Sequence, residues 1–369
     1  MAKVLELRKS ADEGVRALLR FLLESGKVSS ILTLTKISKA KDVAYSIITN
    51  PEKVKDTLPL YPFMPSNLGK ILARLTLLEP MSEPIAAVIK PCELRGFTEL
   101  VKLNQGSLEN ILLISFTCGG VYPLEIVNEE NVNEKISQYW ERIKEMEIPS
   151  DIRPTCKSCE HFLPYNADIM IDLVGKENIE KKCKLFINTS KGEEFINGME
   201  GELQEAELQL QNIDNLRNKR TKEREKIFSE TGVEKFGLEG LIRTFGKCIG
   251  CHGCRSVCPI CYCKLCYFDS REREYEPQEF NAELSKKDGL RIPPDTVFYQ
   301  IVRLIHVGAS CVGCGMCSDV CPVDIPVSTI FSKVGESVQN MFEYVPGKNV
   351  EEKQPLITFK EDEFANLEV

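Results

Sequence analysis

Residues 248–259 read C-x2-C-x2-C-x3-C-P, and the same spacing recurs in full at Cys311, Cys314, Cys317 and Cys321, closed by Pro322. No other feature limits the fold as tightly. Each C-x-x-C-x-x-C loop wraps three corners of an iron–sulfur cubane, and Gly250, Gly253, Gly313 and Gly315 let the backbone approach the sulfides. The fourth cysteine opens a segment that leads away and, in chains with two such runs, ligates the other cluster. By that rule one [4Fe–4S] site takes Cys248, Cys251, Cys254 and Cys321, and the other takes Cys311, Cys314, Cys317 and Cys258. Structural zinc is the competing reading. Zinc sites separate two C-x-x-C pairs by a longer spacer and have no use for a doubled x3-C-P ending.

The fifty-two residues between Cys258 and Cys311 exceed the spacer of a minimal bacterial ferredoxin. They hold a predicted helix, PPDTVFYQIVRLIHVG, with Pro293 and Pro294 at its start. His306 on that helix reads as a packed or surface histidine. Three further thiols, Cys261, Cys263 and Cys266, follow closely on Cys258. They read as sulfurs packed beside a cluster, while Cys263-x-x-Cys266 offers an alternative fourth ligand. Sixteen cysteines in a chain expected to be cytoplasmic stay reduced, which favours ligation over disulfides. That location is expected because MAKVLELRKSADEGV lacks the apolar core of a secretory signal, and no apolar run is long enough to span a membrane. With 43% hydrophobic and 28% charged residues the chain is globular, and its formal charge of −8 without a basic stripe excludes nucleic acid as a partner.

Ahead of the cysteine runs, helical and extended patterns alternate. Ser10 and Glu13 have capping-box spacing before an apolar helix that includes Val15, Leu18, Leu19, Leu22 and Leu23. Strands are predicted at 30–35, 43–49, 85–90 and 111–116, with helices at 66–79 and from Pro91 to about Leu103. The alternation implies βαβ units and a mainly parallel sheet. Ligands on such sheets sit at the carboxyl ends of the strands, where Cys92 and Cys118 fall. Together with Cys156 and Cys159 of RPTCKSCEHF they form a looser group. It either converges on a third cluster or consists of inert core thiols. Cys183 reads as structural. Residues 191–235 are rich in Glu and Lys and predict a solvated helical connector. Residues 236–330 form the dicluster domain, and 331–369 a C-terminal arm.

These segments resemble the coenzyme F420 hydrogenase/dehydrogenase beta-subunit family, in the branch with a C-terminal dicluster ferredoxin domain. The match rests on ADEGVRALLRFLLESGKVSSIL, on Lys90-Pro91-Cys92, on Cys156, Cys159, Phe162, Ala167, Asp168 and Ile169 with Gly175, and on both cysteine runs. The resemblance implies a flavin-binding α/β domain over 1–190 and a ferredoxin-like α+β domain carrying two clusters. It also implies a third cluster at Cys92, Cys118, Cys156 and Cys159. An FAD would exchange a hydride with coenzyme F420 and single electrons with the clusters, which lead to another subunit of a hydrogenase, formate dehydrogenase or heterodisulfide-reductase-type complex. Departures from the family pattern are Glu13-Gly14 in place of Gly-Gly, His161 in place of Asp, and Met170 and Asp172. They leave open another hydride donor such as NAD(P)H, or a flavin-free relay module.

No G-x-G-x-x-G run follows a strand, so a Rossmann nicotinamide site is unsupported. The phosphate-binding candidates are therefore two helix starts. One is Ser10 to Gly14. The other is YPFMPSNLGK, where Ser66 and Asn67 cap a helix and Lys70 supplies a cation. Asp168 is a further candidate flavin contact.

Overall fold

Strands that are apolar along their whole length must be covered on both faces, and two such strands organise the first half of the chain. IAAV and ILLISF are buried at every residue. The structure, a computed structural model, describes residues 2–37, 42–128, 130–176, 178–208, 210–231, 233–270, 276–289, 295–355 and 357.

Eight strands form one sheet: β1 (Ala2–Leu7), β2 (Ser30–Lys36), β3 (Val43–Ile48), β4 (Ile85–Val88), β5 (Ile111–Phe116), β6 (Ile169–Ile171), β7 (Cys183–Ile187) and β8 (Glu202–Ala206). Their order is β3-β2-β4-β5-β6-β7-β1-β8. Only the centre, β2-β4-β5-β6, is parallel. The pairs β2–β3, β6–β7, β7–β1 and β1–β8 are antiparallel. The expectation of a mainly parallel sheet is thus corrected to a mixed one. Of the added strands, β1, β7 and β8 carry charges within them (Lys3 and Glu6, Lys184, and Glu202 and Glu205), so none of these three leaves a long apolar run to read.

Helix α1 (Ala11–Glu24) covers one face. Its stripe of Val15, Leu18, Leu19 and Leu22 has no exposure at all. At about 1.5–3 kcal/mol per fully buried side chain, this stripe outweighs the roughly 1 kcal/mol of its cap. Helices α2 (Leu68–Leu75) and α3 (Pro91–Lys102) cover the other face through Leu68, Leu72, Leu94 and Phe97. Beyond β5 come α4 (Val132–Lys144), α5 (Pro154–Lys157) and α6 (Ser190–Ile196).

The expected connector at 191–235 is not wholly a connector. It contains the end of α6, edge strand β8, and α7 (Leu210–Glu230), which buries Ile213, Leu216 and Arg220. A sparse apolar stripe on a polar helix hid that packing. The second half consists of α8 (Val233–Phe245), α9 (Gly253–Val257), α10 (Pro277–Lys287), α11 (Thr296–Val307), α12 (Met316–Asp319) and α13 (Val327–Met341) around a core of Phe245, Ile260, Val307, Ile330 and Phe331. Pro293 and Pro294, expected at the start of α11, lie outside the described residues, as do 358–369 of the arm.

The remainder of the arm straps back across the first half. The buried carboxylate of Glu99 in α3 accepts hydrogen bonds from Tyr344 Oη (2.5 Å), the Gly347 amide (2.8 Å) and Gln354 Nε2 (2.6 Å). Gly347 is required there. Its φ is +71°, and a Cβ would stand 2.4 Å from the Arg95 backbone. Among the described residues, no helix is long and apolar enough to cross a membrane.

Candidate functional site

The two cysteine runs fold as equivalent loops, each turning through left-handed residues before a short helix. Gly250 (φ 68°) matches Gly313 (φ 65°), and His252 (φ 55°) stands where Gly315 (φ 83°) does. His252 is held in this strained turn by stacking on Tyr299, with ring centroids 4.4 Å apart, and by a 3.0 Å contact with Asp269. Helices α9 and α12 pack together, which sets the two loops side by side.

Cys258, Cys311, Cys314 and Cys317 line one narrow recess, three thiols from the second run and the fourth from the first. Arg303 and Ser332 share its wall. Two buried donors there, Arg303 Nε and Ser332 Oγ, have no hydrogen-bond partner among the described residues. Buried donors are normally satisfied. A sulfide-bearing group in the recess supplies the acceptors they lack, so the residues fit a cluster. Burial pushes Cys311 up to about 11 and Cys314 up to about 12, and raises Cys317 as well. Cys258 is instead held below an ordinary thiol by a hydrogen bond from Cys261. A bound metal reverses the burial penalty, because its positive charge favours the thiolate.

Of the other ferredoxin-type set only Cys254 lies on a helix, α9, while Cys248 and Cys251 precede it and Cys321 follows α12 by two residues. Gln300 Nε2 lies 3.6 Å from Cys248 Sγ and 3.8 Å from Cys254 Sγ. A Cβ at Gly253 would meet the Val320 carbonyl at 3.5 Å and Cys251 Sγ at 3.7 Å, so the residue before Cys321 borders the first loop. Cys251 is exposed whereas Cys254 is buried.

The looser group comes from the carboxyl ends of parallel strands. Cys92 opens α3 just after β4, and Cys118 follows β5 by two residues. Cys156 sits on α5 and Cys159 two residues past its end. The Cys118 amide donates to Phe162 O at 2.9 Å, drawing the segments together. Arg220 of α7 then donates to the carbonyls of Cys118 (3.2 Å), Gly119 (2.9 Å) and Cys159 (3.3 Å). Burial, and then the neighbouring thiols Cys314, Cys118 and Cys156 with Glu93, raise Cys92 far above an ordinary thiol. Burial takes Cys156 to about 12. Cys92 and Cys156 pack with Cys314 around Met64, Val121 and Met316, so this group abuts the second ferredoxin-type loop. Among the described residues, no three His, Cys, Asp or Glu are close enough to hold a single metal ion.

The six expected flavin contacts are otherwise engaged. Ser10 and Glu13 close a reciprocal capping box, which already satisfies the helix start and adds a carboxylate. Gly14 is a packing glycine, since a Cβ there would stand 2.4 Å from Cys183 Cβ. At the second helix start Asn67 Oδ1 accepts from the Lys70 amide (3.0 Å), and Glu93 Oε1 from the Leu68 amide (2.8 Å). The protein's own anion fills the expected phosphate position. Ser66, one residue before that cap, is half-buried. Lys70 turns away to donate to Ser256 O (2.7 Å) and Cys258 O (2.8 Å), tying α2 to the first cysteine run. Asp168 is buried and accepts from the Leu113 amide (2.9 Å) and Thr189 Oγ1 (2.7 Å), with Lys191 at 3.0 Å. These residues do not fit a flavin. A different opening does touch the thiols: a cleft of about 340 Å³ lined by Arg95, Cys159, His161, Arg224, Phe228 and Cys311.

Residues 82–216 match the family described as the C terminus of the coenzyme F420 hydrogenase/dehydrogenase beta subunit, and residues 244–325 match the 4Fe-4S dicluster domain. The chain thus carries a domain of the F420 hydrogenase/dehydrogenase beta-subunit family, followed by a 4Fe-4S dicluster domain. It is 28% identical to the F420-dependent formate dehydrogenase subunit beta of Methanocaldococcus jannaschii, across 92% of this chain and 93% of that one. It is 27% identical to F420-dependent formate dehydrogenase 1 subunit beta of Methanococcus maripaludis, across 90% of each. A chain of the F420-reducing [NiFe] hydrogenase complex from Methanosarcina barkeri aligns at 14% identity with a TM-score of 0.44, covering 65% of this chain and 94% of that one. That likeness is too loose to carry an argument. Sequence reasoning missed three of the buried arginines, Arg153, Arg220 and Arg303, which tie the cysteine-bearing loops together. Each stands in a polar or ordinary helical context, so nothing in the residue pattern separates it from a surface arginine.

Proposed function

We propose that this chain is the iron–sulfur subunit through which an F420-dependent oxidoreductase passes electrons between a hydride carrier and a partner subunit. The observation that carries the reading is the recess lined by Cys258, Cys311, Cys314 and Cys317. It combines three thiols of one run with the fourth of the other, as a two-cluster domain requires. Zinc at about 2.3 Å from each sulfur would draw four thiols onto a single centre.

A cluster, when bound, takes up or gives out one electron at a time. A flavin, when bound, converts between that and a two-electron hydride. Since the helix starts do not seat a flavin, the cleft between Cys159 and Cys311 is the better place for one. Its size is that of a small-molecule site. It touches one thiol of the third set and one of the second run, so a ring held there lies beside both. Phe228 offers a stacking face, while Arg95 and Arg224 border the opening. Cys251, exposed beside the exposed Ile249, marks the first-run cluster as the exit toward the partner.

The test is an anaerobic inventory of flavin, iron and acid-labile sulfide per chain, followed by reduction with F420H2 or NADH. Twelve irons with one flavin, bleached by F420H2, is the expected outcome for three cubanes (about four irons each). Iron without flavin favours a relay module, and bleaching by NADH alone overturns F420 as the donor.

A further inference from the structure

Arg303 is 4% exposed and touches both ferredoxin-type sets. Nη1 donates to Cys254 Sγ at 3.1 Å and Nη2 to Cys254 O at 3.3 Å. The same side chain lines the recess of Cys258, Cys311, Cys314 and Cys317. Its guanidinium is fixed between two rings, 5.6 Å from the Tyr299 centroid and 4.9 Å from that of Phe331. Gln300 Oε1 accepts from Nη1 at 3.2 Å. Among the described residues no carboxylate lies within ion-pair distance of it, and Nε has no partner. Arginine does not shed its proton in proteins, so this is a permanent buried cation. The sulfur of Cys254 is the soft acceptor it meets there.

We propose that Arg303 sets the reduction potentials of both ferredoxin-type clusters, and that Ser332 adds a donor to the cluster of Cys258, Cys311, Cys314 and Cys317 alone. The inference rests on the reading that clusters occupy these two sets. Reduction adds one electron to a cluster and breaks no bond, so the reduced form is one unit more negative. A fixed cation and donors to sulfur stabilise that form more than the oxidised one and raise the potential. Arg303 lies on α11, within the long segment between the two cysteine runs, and this gives that segment a purpose beyond connection. Arg303 is a positioning residue here, acting through Cys254 and the recess.

The experiment uses the full-length chain with its clusters, titrated with dithionite and followed by the EPR signals of the reduced clusters. Iron and sulfide are counted in the same samples. Arg303→Met is expected to disfavour reduction of both clusters at least tenfold, a fall of about 59 mV for a one-electron couple. Arg303→Lys keeps the charge but loses the fork, and is expected to lower both by less. Ser332→Ala is expected to lower one potential and leave the other. Wild-type iron with both potentials unmoved in the Arg303 variants overturns the proposal. Should Arg303→Met lose iron, Arg303→Lys and Ser332→Ala decide: full iron with unshifted potentials in both refutes it. A wild-type chain without iron refutes the cluster reading instead, a separate result.

Discussion

Arg153 Nε donates to the carboxylate of Asp319 at 2.6 Å, and with this bond the first half of the chain grips the second. Arg153 is the residue before α5, which carries Cys156, while Asp319 ends α12 between Cys317 and Cys321. The same guanidinium donates to Cys314 O (3.1 Å) and Met64 O (3.2 Å). With the arginine 1% exposed and the aspartate 15%, removing one partner strands a buried charge. Arg153→Met is expected to destabilise by roughly 3–5 kcal/mol, and Arg153→Met with Asp319→Leu to recover much of that. Thermal unfolding of the four-member cycle measures the coupling. Additive effects would show that the pair does not hold the halves together.

The crossed ligand pairing gives a second prediction. Cys258→Ser and Cys314→Ser should remove the same cluster although they lie in different runs, and Cys251→Ser and Cys321→Ser should remove the other. Each variant is expected to lose about four irons per chain, and the EPR signals of the reduced proteins should fall into those two pairs. If Cys258→Ser and Cys251→Ser abolish the same signal, each run holds its own cluster and the crossed assignment is wrong.

These two predictions also mark what could be read from residues alone. The cysteine runs were legible because ligation by a cubane leaves a local spacing signature, and β4 and β5 because strands buried on both faces are continuously apolar. Arg153, Arg220 and Arg303 were invisible, since a buried cation is defined by what folds around it. The helix starts carry a related ambiguity. A helix start looks like an anion site in sequence whether or not a distant carboxylate fills it, and Glu93, twenty-five positions from Leu68, does so. Strand β8 escaped because an edge strand exposed along nearly its whole length carries no apolar pattern.

Arg220 binds three carbonyls around Cys118 and Cys159 and stacks 4.7 Å from the Phe162 ring centroid. Its loss unties the loops bearing two of the four looser thiols. Arg220→Met is expected to lower iron content by about four per chain while leaving the ferredoxin-type signals intact. The same loss is expected from Cys118→Ser. Iron analysis of both variants checks this, and unchanged iron in Cys118→Ser would return the group to inert core thiols.

Gly14 and Cys183 supply a prediction set apart from every cluster. A methyl at position 14 would meet Cys183 Cβ at 2.4 Å and its Sγ at 2.6 Å, so Gly14→Ala overpacks the junction of α1 with β7. A loss of about 1–3 kcal/mol is expected, with flavin content unchanged because Gly14 holds no phosphate. Burial also pushes the Cys183 thiol from an ordinary 9.0 up to about 12. The folded chain therefore keeps a proton that the unfolded chain releases. That contribution is complete below pH 9 and declines as pH rises through the window up to about 12, by at most about 1.4 kcal/mol per pH unit. Cys183→Ala should flatten the fall in stability above pH 9 by that amount and leave neutral-pH behaviour otherwise close to wild type. Denaturant titrations of both proteins at pH 8, 9 and 10 measure the difference in slope. Equal slopes would mean that Cys183 ionises as readily in the folded chain as in the unfolded one, contrary to its burial against α1.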